Sequence, residues 1–156
     1  YKPGRWEVLV QTGPGLYPVA VAGPRIVAPV GQGRADVWTE LRFDSPVRLR
    51  VVVSTRPAAI HGRVTSGISE PAVGAPVYLE AWDPQAQKRI GELRKALAGS
   101  SGEYRFPGLP PGTYRIVSSF DFDDPGVETM EASRAKWITL KESEDATADL
   151  ELYAGP

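Results

Sequence analysis

The sequence predicts an all-β protein built as a sandwich of sheets. Its 156 residues include 16 glycines and 15 prolines, which are spread along the chain and not gathered in one tract. Short runs rich in valine, isoleucine, threonine and aromatic residues fill the intervals between them. No run longer than about ten residues has helical spacing of its apolar positions. Many short strands separated by Gly and Pro turns are typical of a β-sandwich.

The first third of the chain contains four predicted strands, each with Gly or Pro near its ends. They cover residues 5–11, 17–22, 36–43 and 47–54. In the last of these, Leu49, Val51 and Val53 share one face, while Arg48 and Arg50 lie on the other. We therefore expect a strand with one buried face and one solvated face.

Seven further strands are predicted after Pro57. They cover residues 58–66, 77–83, 87–98, 103–106, 113–120, 136–140 and 146–153. The segment 87–98 is ambiguous because Ile90, Leu93 and Leu97 have a spacing that a helix could use. Gly91 interrupts that pattern, so we predict an extended strand there.

The stretch around Leu-Pro-Pro-Gly at residues 109–112 predicts a structural corner. Tyr104 and Phe106 alternate with charged residues, so both rings enter the core from one short strand. Pro110 and Pro111 restrict the backbone before Tyr114. The Tyr114 hydroxyl can then fold back onto a nearby backbone group, as in the tyrosine corner of Greek-key sandwiches. This stretch is expected to hold the fold and not to bind a ligand.

Composition excludes several classes of function. The net charge is −1, which argues against nucleic acid as a partner, and the apolar runs are too short to span a membrane. There is no cysteine, and His61 is the single histidine, so no multi-histidine metal site can form within one chain. We predict no catalytic residue, no cofactor and no metal ligand.

A possible internal repeat divides the chain at residue 57. The segment PGRWEVLV from Pro3 is similar to PGTYRIVS from Pro111, and LRVVVSTRP ending at Pro57 is loosely similar to LELYAGP ending at Pro156. Residues 1–57 are therefore expected to be the C-terminal half of a sandwich repeat, or an N-terminal β extension, and residues 58–156 a complete repeat. A half-repeat buries too little surface to fold well alone. We expect it to pack on the complete repeat or to pair with another chain.

Three segments in this order carry a resemblance to a known family. They are IHGRVTSGISEPAVGAPVYLEAWD from residue 60, SGEYRFPGLPPGTYRI from residue 101 and ADLELY from residue 148. Over residues 58–156 the chain resembles the carboxypeptidase regulatory-like domain. The resemblance implies a transthyretin-like or prealbumin-like, Ig-like sandwich without catalytic residues. It also implies an extracellular or cell-envelope location in bacteria, where such domains often occur in tandem.

Three aromatic residues are the candidate ligand or partner surface. Tyr78 and Trp82 alternate with the apolar face of their strand, and Trp137 lies on a later strand. Exposed aromatic residues on a sandwich bind sugars or protein partners. The alternative is that the N-terminal segment covers Tyr78 and Trp82.

An acidic segment at Asp121, Asp123, Asp124 and Glu128 leaves one further alternative open. Its carboxylates could bind calcium, but the spacing lacks the glycine and the terminal glutamate of an EF-hand, and Asp-Asp-Pro-Gly is a common turn. We predict a solvated acidic loop.

These observations together predict a non-enzymatic module of a larger bacterial exported or envelope protein. Its expected partners are other domains of that protein or another protein. The alternative is a carbohydrate-binding accessory module, and the oligomeric state stays open.

Overall fold

The computed structural model describes residues 4–10, 16–23, 26–29, 38–43 and 45–155. The N-terminal part contains five strands: β1 (Gly4–Leu9), β2 (Tyr17–Gly23), β3 (Ile26–Pro29), β4 (Trp38–Phe43) and β5 (Arg50–Ser54). β1 pairs with β4, and β2 lies between β3 and β5, all antiparallel.

All four predicted N-terminal strands are confirmed, as β1, β2, β4 and β5. Gln11 and residues 36–37, which were part of those predictions, lie outside the described residues. β3 was missed because only four residues separate its Gly and Pro boundaries, which is too short for a period of two to be recognised.

The rest of the chain contains eight strands and one short helix. They are β6 (Ala58–Thr65), β7 (Pro76–Asp83), β8 (Lys88–Leu97), β9 (Glu103–Leu109), β10 (Gly112–Ser118), α1 (Val127–Ala132), β11 (Lys136–Leu140), β12 (Asp145–Thr147) and β13 (Leu150–Glu151). One sheet has the order β11-β10-β7-β8. In the other, β6 pairs with β9 on one side and with β12 and β13 on the other. The predicted β-sandwich is confirmed.

The core lies between these two sheets and is formed by alternate residues of their strands. Leu79 and Ile116 come from one sheet, and Ile60, Tyr104 and Phe106 come from the other. The rings of Tyr104 and Phe106 meet edge to face, with centroids 6.0 Å apart. Burying large rings of this kind supplies much of the apolar contact of a small sandwich.

The predicted tyrosine corner is present. The Tyr114 hydroxyl donates a hydrogen bond to the carbonyl of Pro110 at 2.5 Å. Burial of the phenol raises the pKa of Tyr114 to about 12, because the charged form would lose its hydration. The Leu-Pro-Pro-Gly stretch therefore fastens β9 to β10.

The ambiguous segment 87–98 is a strand, as predicted. Gly91 adopts φ of +66°, and the pairing of β7 with β8 shifts register between Leu79 and Ala81. A residue with positive φ at an extra position is a β-bulge, which glycine forms without steric cost. The glycine that breaks the helical pattern is thus the residue that lets β8 continue past the bulge.

The C-terminal strand is interrupted where it crosses Gly62. Thr147 pairs with His61 in β6, and Leu150 pairs with Val64, but the Ala148 carbonyl between them turns toward the core. There it accepts a hydrogen bond from the buried Tyr104 hydroxyl. Burial raises the pKa of Tyr104 above its ordinary value.

Two other expectations are wrong. The acidic segment 121–128 was predicted as a solvated loop, but its last two residues, Val127 and Glu128, begin α1. The face of Leu49, Val51 and Val53 was expected to be buried, but all three side chains are exposed. β5 is paired only with β2 within the described part of the chain, so it lies at the edge of its sheet.

Candidate functional site

Tyr78, the first of the three candidate aromatic residues, is buried. Its side chain lies on the outer face of β7, as the alternation predicts, but only 1% of it is exposed. Met130 of α1 and the rings of Phe122 and Tyr153 pack around it. The Tyr78 hydroxyl donates a hydrogen bond to the Phe122 carbonyl at 2.7 Å. The expectation that Tyr78 is exposed is therefore wrong.

Among the described residues, those that cover Tyr78 come from the same sandwich. α1 follows the acidic segment directly, and its fully buried Met130 points onto the sheet. A helix this short is marginal by itself, so its packing on the sheet stabilises it. The expected covering by residues 1–57 is thus replaced at Tyr78 by α1 and its flanks.

Trp82 and Trp137 meet on the same outer face, in a cluster with Arg115. The two indole rings contact edge to face, with centroids 6.0 Å apart. The Arg115 guanidinium carbon lies 4.3 Å from the Trp82 ring centroid and 5.0 Å from that of Trp137. Trp82 is only 9% exposed, whereas Trp137 is 53% exposed. Of the three candidates, only Trp137 offers an open aromatic surface.

The charge of Arg115 is balanced by Glu80, which is completely buried. Oε2 of Glu80 lies 2.6 Å from Nε of Arg115, and Oε1 lies 2.8 Å from Nε of Arg89. Arg89 also donates to the carbonyl of Pro125 at 2.7 Å, just before α1. Arg115 of β10 and Glu80 of β7 lie side by side because they are register partners. We call Glu80, Arg89 and Arg115 the buried ion network.

The buried ion network fixes the position of Arg115 between the rings of Trp82 and Trp137. The buried Glu80 carboxylate is held by two guanidinium groups, of which Arg115 is buried and Arg89 is 21% exposed, and both indoles lie against Arg115. Nη2 of Arg115 has no hydrogen-bond partner in the described part of the chain, and the aromatic faces supply its electrostatic contact. The sequence pattern did not reveal Glu80 as buried, since acidic residues that alternate with apolar ones usually face solvent.

A second polar cluster lies on the outer face of the opposite sheet, around the single histidine. Nδ1 of His61 lies 2.8 Å from Oδ1 of Asp145, and Nε2 lies 3.2 Å from the Thr147 hydroxyl oxygen. Arg105 lies 3.3 Å from the other Asp145 oxygen. The hydrogen bond from His61, with Arg105 nearby, holds the pKa of Asp145 below its usual range.

The order of hydroxyl, imidazole and carboxylate is the one used for nucleophilic catalysis. In this chain the arrangement results from the pairing of β12 with β6. Thr147 is the register partner of His61, and Asp145 lies two residues earlier on the same face of β12. The cluster connects the C-terminal strand β12 to β6. Three of its members, His61, Arg105 and Thr147, line an open groove of about 710 Å³ together with other residues of β6, β8 and β9. The acidic segment 121–128 does not line this groove.

The acidic segment has structural partners. Oδ2 of Asp121 accepts a hydrogen bond from the backbone N–H of Gly155 at 2.7 Å, and Asp123 lies 3.6 Å from Nζ of Lys95. Glu128 is in the first turn of α1, where a carboxylate favours the helix dipole. Among the residues with described placement, no group of three or more acidic or histidine side chains could hold a metal ion.

Strand β5 is apolar and exposed, although one of its faces was predicted to be buried. Val51, Val52 and Val53 are 43%, 38% and 40% exposed. The available signal was the flanking charge, since Arg48, Arg50 and Arg56 surround the valines. Positive residues of this kind are typical of the edge of a sheet.

No helix in the described ranges has the length and apolar character needed to cross a membrane. A search of curated proteins found no match to this chain. Similar solved structures share low identity with it. The major pilin SpaD of Corynebacterium diphtheriae is 13% identical, with a TM-score of 0.45, over 63% of this chain and 30% of the pilin.

A streptococcal ancillary pilin is 12% identical, with a TM-score of 0.45, over 98% of this chain and 46% of that one. A proposed carbohydrate-binding protein of Pseudomonas aeruginosa is 18% identical, with a TM-score of 0.41, over 62% of this chain and 88% of that one. This chain therefore spans less than half the length of either pilin.

The sequence match is more specific than these likenesses. The profile of the carboxypeptidase regulatory-like domain matches residues 59–153, which is more than half of the chain. This range begins in β6 and ends beyond β13, so it includes both sheets of the sandwich. The chain belongs to the carboxypeptidase regulatory-like domain family.

Proposed function

We propose that this chain is a non-catalytic module of a larger bacterial exported or envelope protein, and that it contacts another domain or protein through its N-terminal sheet. The observation that carries the proposal is the exposure of Val51, Val52 and Val53 on β5. Clusters of exposed apolar side chains mark interaction sites on soluble domains. The exported or envelope location rests on the usual setting of the family.

The polar and aromatic side chains of the sandwich support the same proposal. Tyr78 lies under α1, Glu80 is paired with two arginines, and His61 is bonded to Asp145 and Thr147. These groups already have partners within the domain. A ligand would have to displace those partners, which costs their hydrogen bonds.

Carbohydrate binding is the second candidate, and one observation favours it. Trp137 is 53% exposed beside Arg115, and an open indole next to a cation can stack on a sugar ring. Against it, Trp82 is almost fully covered, so the two rings form no flat exposed strip.

Isothermal titration of the full chain against a panel of neutral and acidic glycans separates the two candidates. We expect no binding heat and no change in tryptophan fluorescence. The matched variant is Trp137→Ala, which removes the open ring and leaves the Trp82 and Arg115 contact in place. Saturable heat that disappears in Trp137→Ala would replace the proposed function with carbohydrate binding.

We further propose that residues 1–57 are the tail of a similar repeat, or an N-terminal β extension, packed on a complete domain of residues 58–156. Hydrogen-bonded strand pairs support this division, because β1–β5 pair among themselves and β6–β13 pair among themselves. Glu142 connects the two parts: one of its oxygens accepts from Ser54 at 3.0 Å and from Tyr17 at 3.4 Å.

A shortened chain of residues 58–156 tests this packing. We expect it to keep the β-rich circular dichroism spectrum but to melt at a lower temperature than the full chain, because the contacts of Glu142 are lost. The full-chain variant Glu142→Ala is the control for those hydrogen bonds alone. An unchanged melting temperature in the shortened chain would show that residues 1–57 do not pack on the domain.

A further inference from the structure

Strand β5 has exposed valines on both of its faces. Successive residues of a strand point to opposite sides of the sheet, so Val51 and Val53 lie on one face and Val52 lies on the other. All three are more than one-third exposed, although Val21, the register partner of Val51 in β2, is completely buried. Val19 of β2 is also 42% exposed, so exposed valines lie on both strands of this pair.

β5 is also open along its length. It pairs with β2 on one side, and the described residues place no strand on its other side. The outer edge of a strand presents a row of backbone N–H and C=O groups, which can pair with a strand from another molecule. An added strand would pair with these groups and would cover the valines on both faces at once.

Three arginines surround the valines. Arg48, Arg50 and Arg56 are exposed, and their side chains form no ion pair in the part of the chain that the structure describes. The carboxylate of Glu142, which meets the end of β5, is already bonded to Ser54 and Tyr17. Hydrogen bonds from hydroxyls leave the charge of Glu142 unchanged, but three arginines outweigh this one carboxylate. The described surroundings of β5 are therefore positive, although the chain as a whole has a net charge of −1.

This charge pattern opposes pairing with a second copy of the chain. An antiparallel pair of two β5 strands centred on Val52 would place Arg48 opposite Arg56 twice. A parallel pair in register would place every arginine opposite itself. Like charges directly opposite each other destabilise a strand pair. The occupant that fits is a strand of opposite charge.

We propose that β5 is a docking edge for a β-strand of another protein or domain, with an apolar centre and carboxylates at both ends. This inference rests on the proposed function and names the chemistry of the partner. Backbone pairing supplies the binding, the valines contact the apolar centre, and the arginines select acidic flanks. Charge complementarity of this kind sets specificity more than affinity.

Two synthetic peptides test the proposal on the full chain by fluorescence anisotropy. The acidic probe is Glu-Leu-Glu-Val-Thr-Val-Glu-Leu-Glu, and its matched control replaces every glutamate with lysine. We expect saturable binding of the acidic probe, at least about tenfold tighter than that of the control. Raising salt from about 0.05 M to about 0.5 M should weaken it, since the charges are exposed.

Variants of the chain locate the binding. In Arg48→Glu/Arg50→Glu the preference between the two peptides should reverse, and in Val52→Lys both should bind at least about tenfold more weakly. Arg94→Glu, an exposed arginine of β8, is the matched control and should leave the preference unchanged. Circular dichroism of each variant shows that the fold is kept.

Several outcomes would overturn the proposal. Equal affinity for the two peptides, or no binding of either, would remove β5 as an acidic-strand edge. NMR would do the same if the peptide changed the backbone amide chemical shifts of β8 or β9 and not those of β5. Sedimentation that shows a dimer lost in Val52→Lys would assign β5 to self-association. In each case the isothermal titration against glycans tests the proposed function separately. No binding heat would leave the proposed function in place, whereas saturable glycan binding would contradict it.

Discussion

Replacing Gly62 with alanine is expected to destabilise the protein by at least about 3 kcal/mol. A Cβ at this position would collide with the Ala148 carbonyl, whose carbon would lie only 2.6 Å away. Neither group can move easily, because Ala148 N–H donates to the His61 carbonyl and its oxygen accepts from Tyr104. Urea denaturation followed by tryptophan fluorescence measures the loss.

The control for this prediction is Gly67→Ala. The nearest atom to a Cβ at Gly67 is a carboxylate oxygen of Glu151, 3.8 Å away, so this variant should change stability by less than about 1 kcal/mol. Neither glycine adopts a positive φ, so the comparison isolates space from backbone strain. Equal stabilities of the two variants would show that the C-terminal segment does not lie against Gly62.

Replacing Glu80 with glutamine is expected to cost about 3–5 kcal/mol, because it leaves Arg115 buried without a counter-charge. The Arg115 side chain is 4% exposed and that of Glu80 is 0% exposed, so water cannot solvate the guanidinium in place of the carboxylate. The Trp82 ring packs on Arg115, so tryptophan fluorescence reports the disturbance directly. Denaturant unfolding gives the free energy.

Two controls accompany the Glu80→Gln measurement. Glu103→Gln removes an exposed pair with Arg63 at 3.4 Å and should change stability by less than about 1 kcal/mol. The double variant Glu80→Leu/Arg115→Leu should be more stable than Glu80→Leu alone, since it removes the unpaired charge together with its site. A loss in Glu80→Gln no larger than that in Glu103→Gln would contradict the buried ion network.

Local patterns predicted the strands well. The strand at 87–98 and the tyrosine corner at Tyr114 were both predicted from neighbouring residues, and both are present. Glycine, proline and a period of two act within a few residues, so their effects can be read along the chain. α1 was missed because its six residues carry one buried apolar side chain, Met130, which makes no recognisable helical stripe.

The candidate surface was predicted less well, for a different reason. Alternation correctly assigned Tyr78 and Trp82 to the outer face of β7, but it does not say what covers that face. The cover over Tyr78 begins 44 residues later in the chain, at Phe122, and continues with α1. The same limit applies at β5, where alternation predicted a buried face for Val51 and Val53.

The sequence by itself determined an all-β sandwich of the carboxypeptidase regulatory-like family, the positions of most of its strands and the corner that joins β9 to β10. Only the tertiary structure decided that Glu80 is buried, that Tyr78 is covered and that the valines of β5 are exposed. Strand formation depends on residues within a few positions of one another. Burial depends on which distant segment packs on each face, and no local pattern records that.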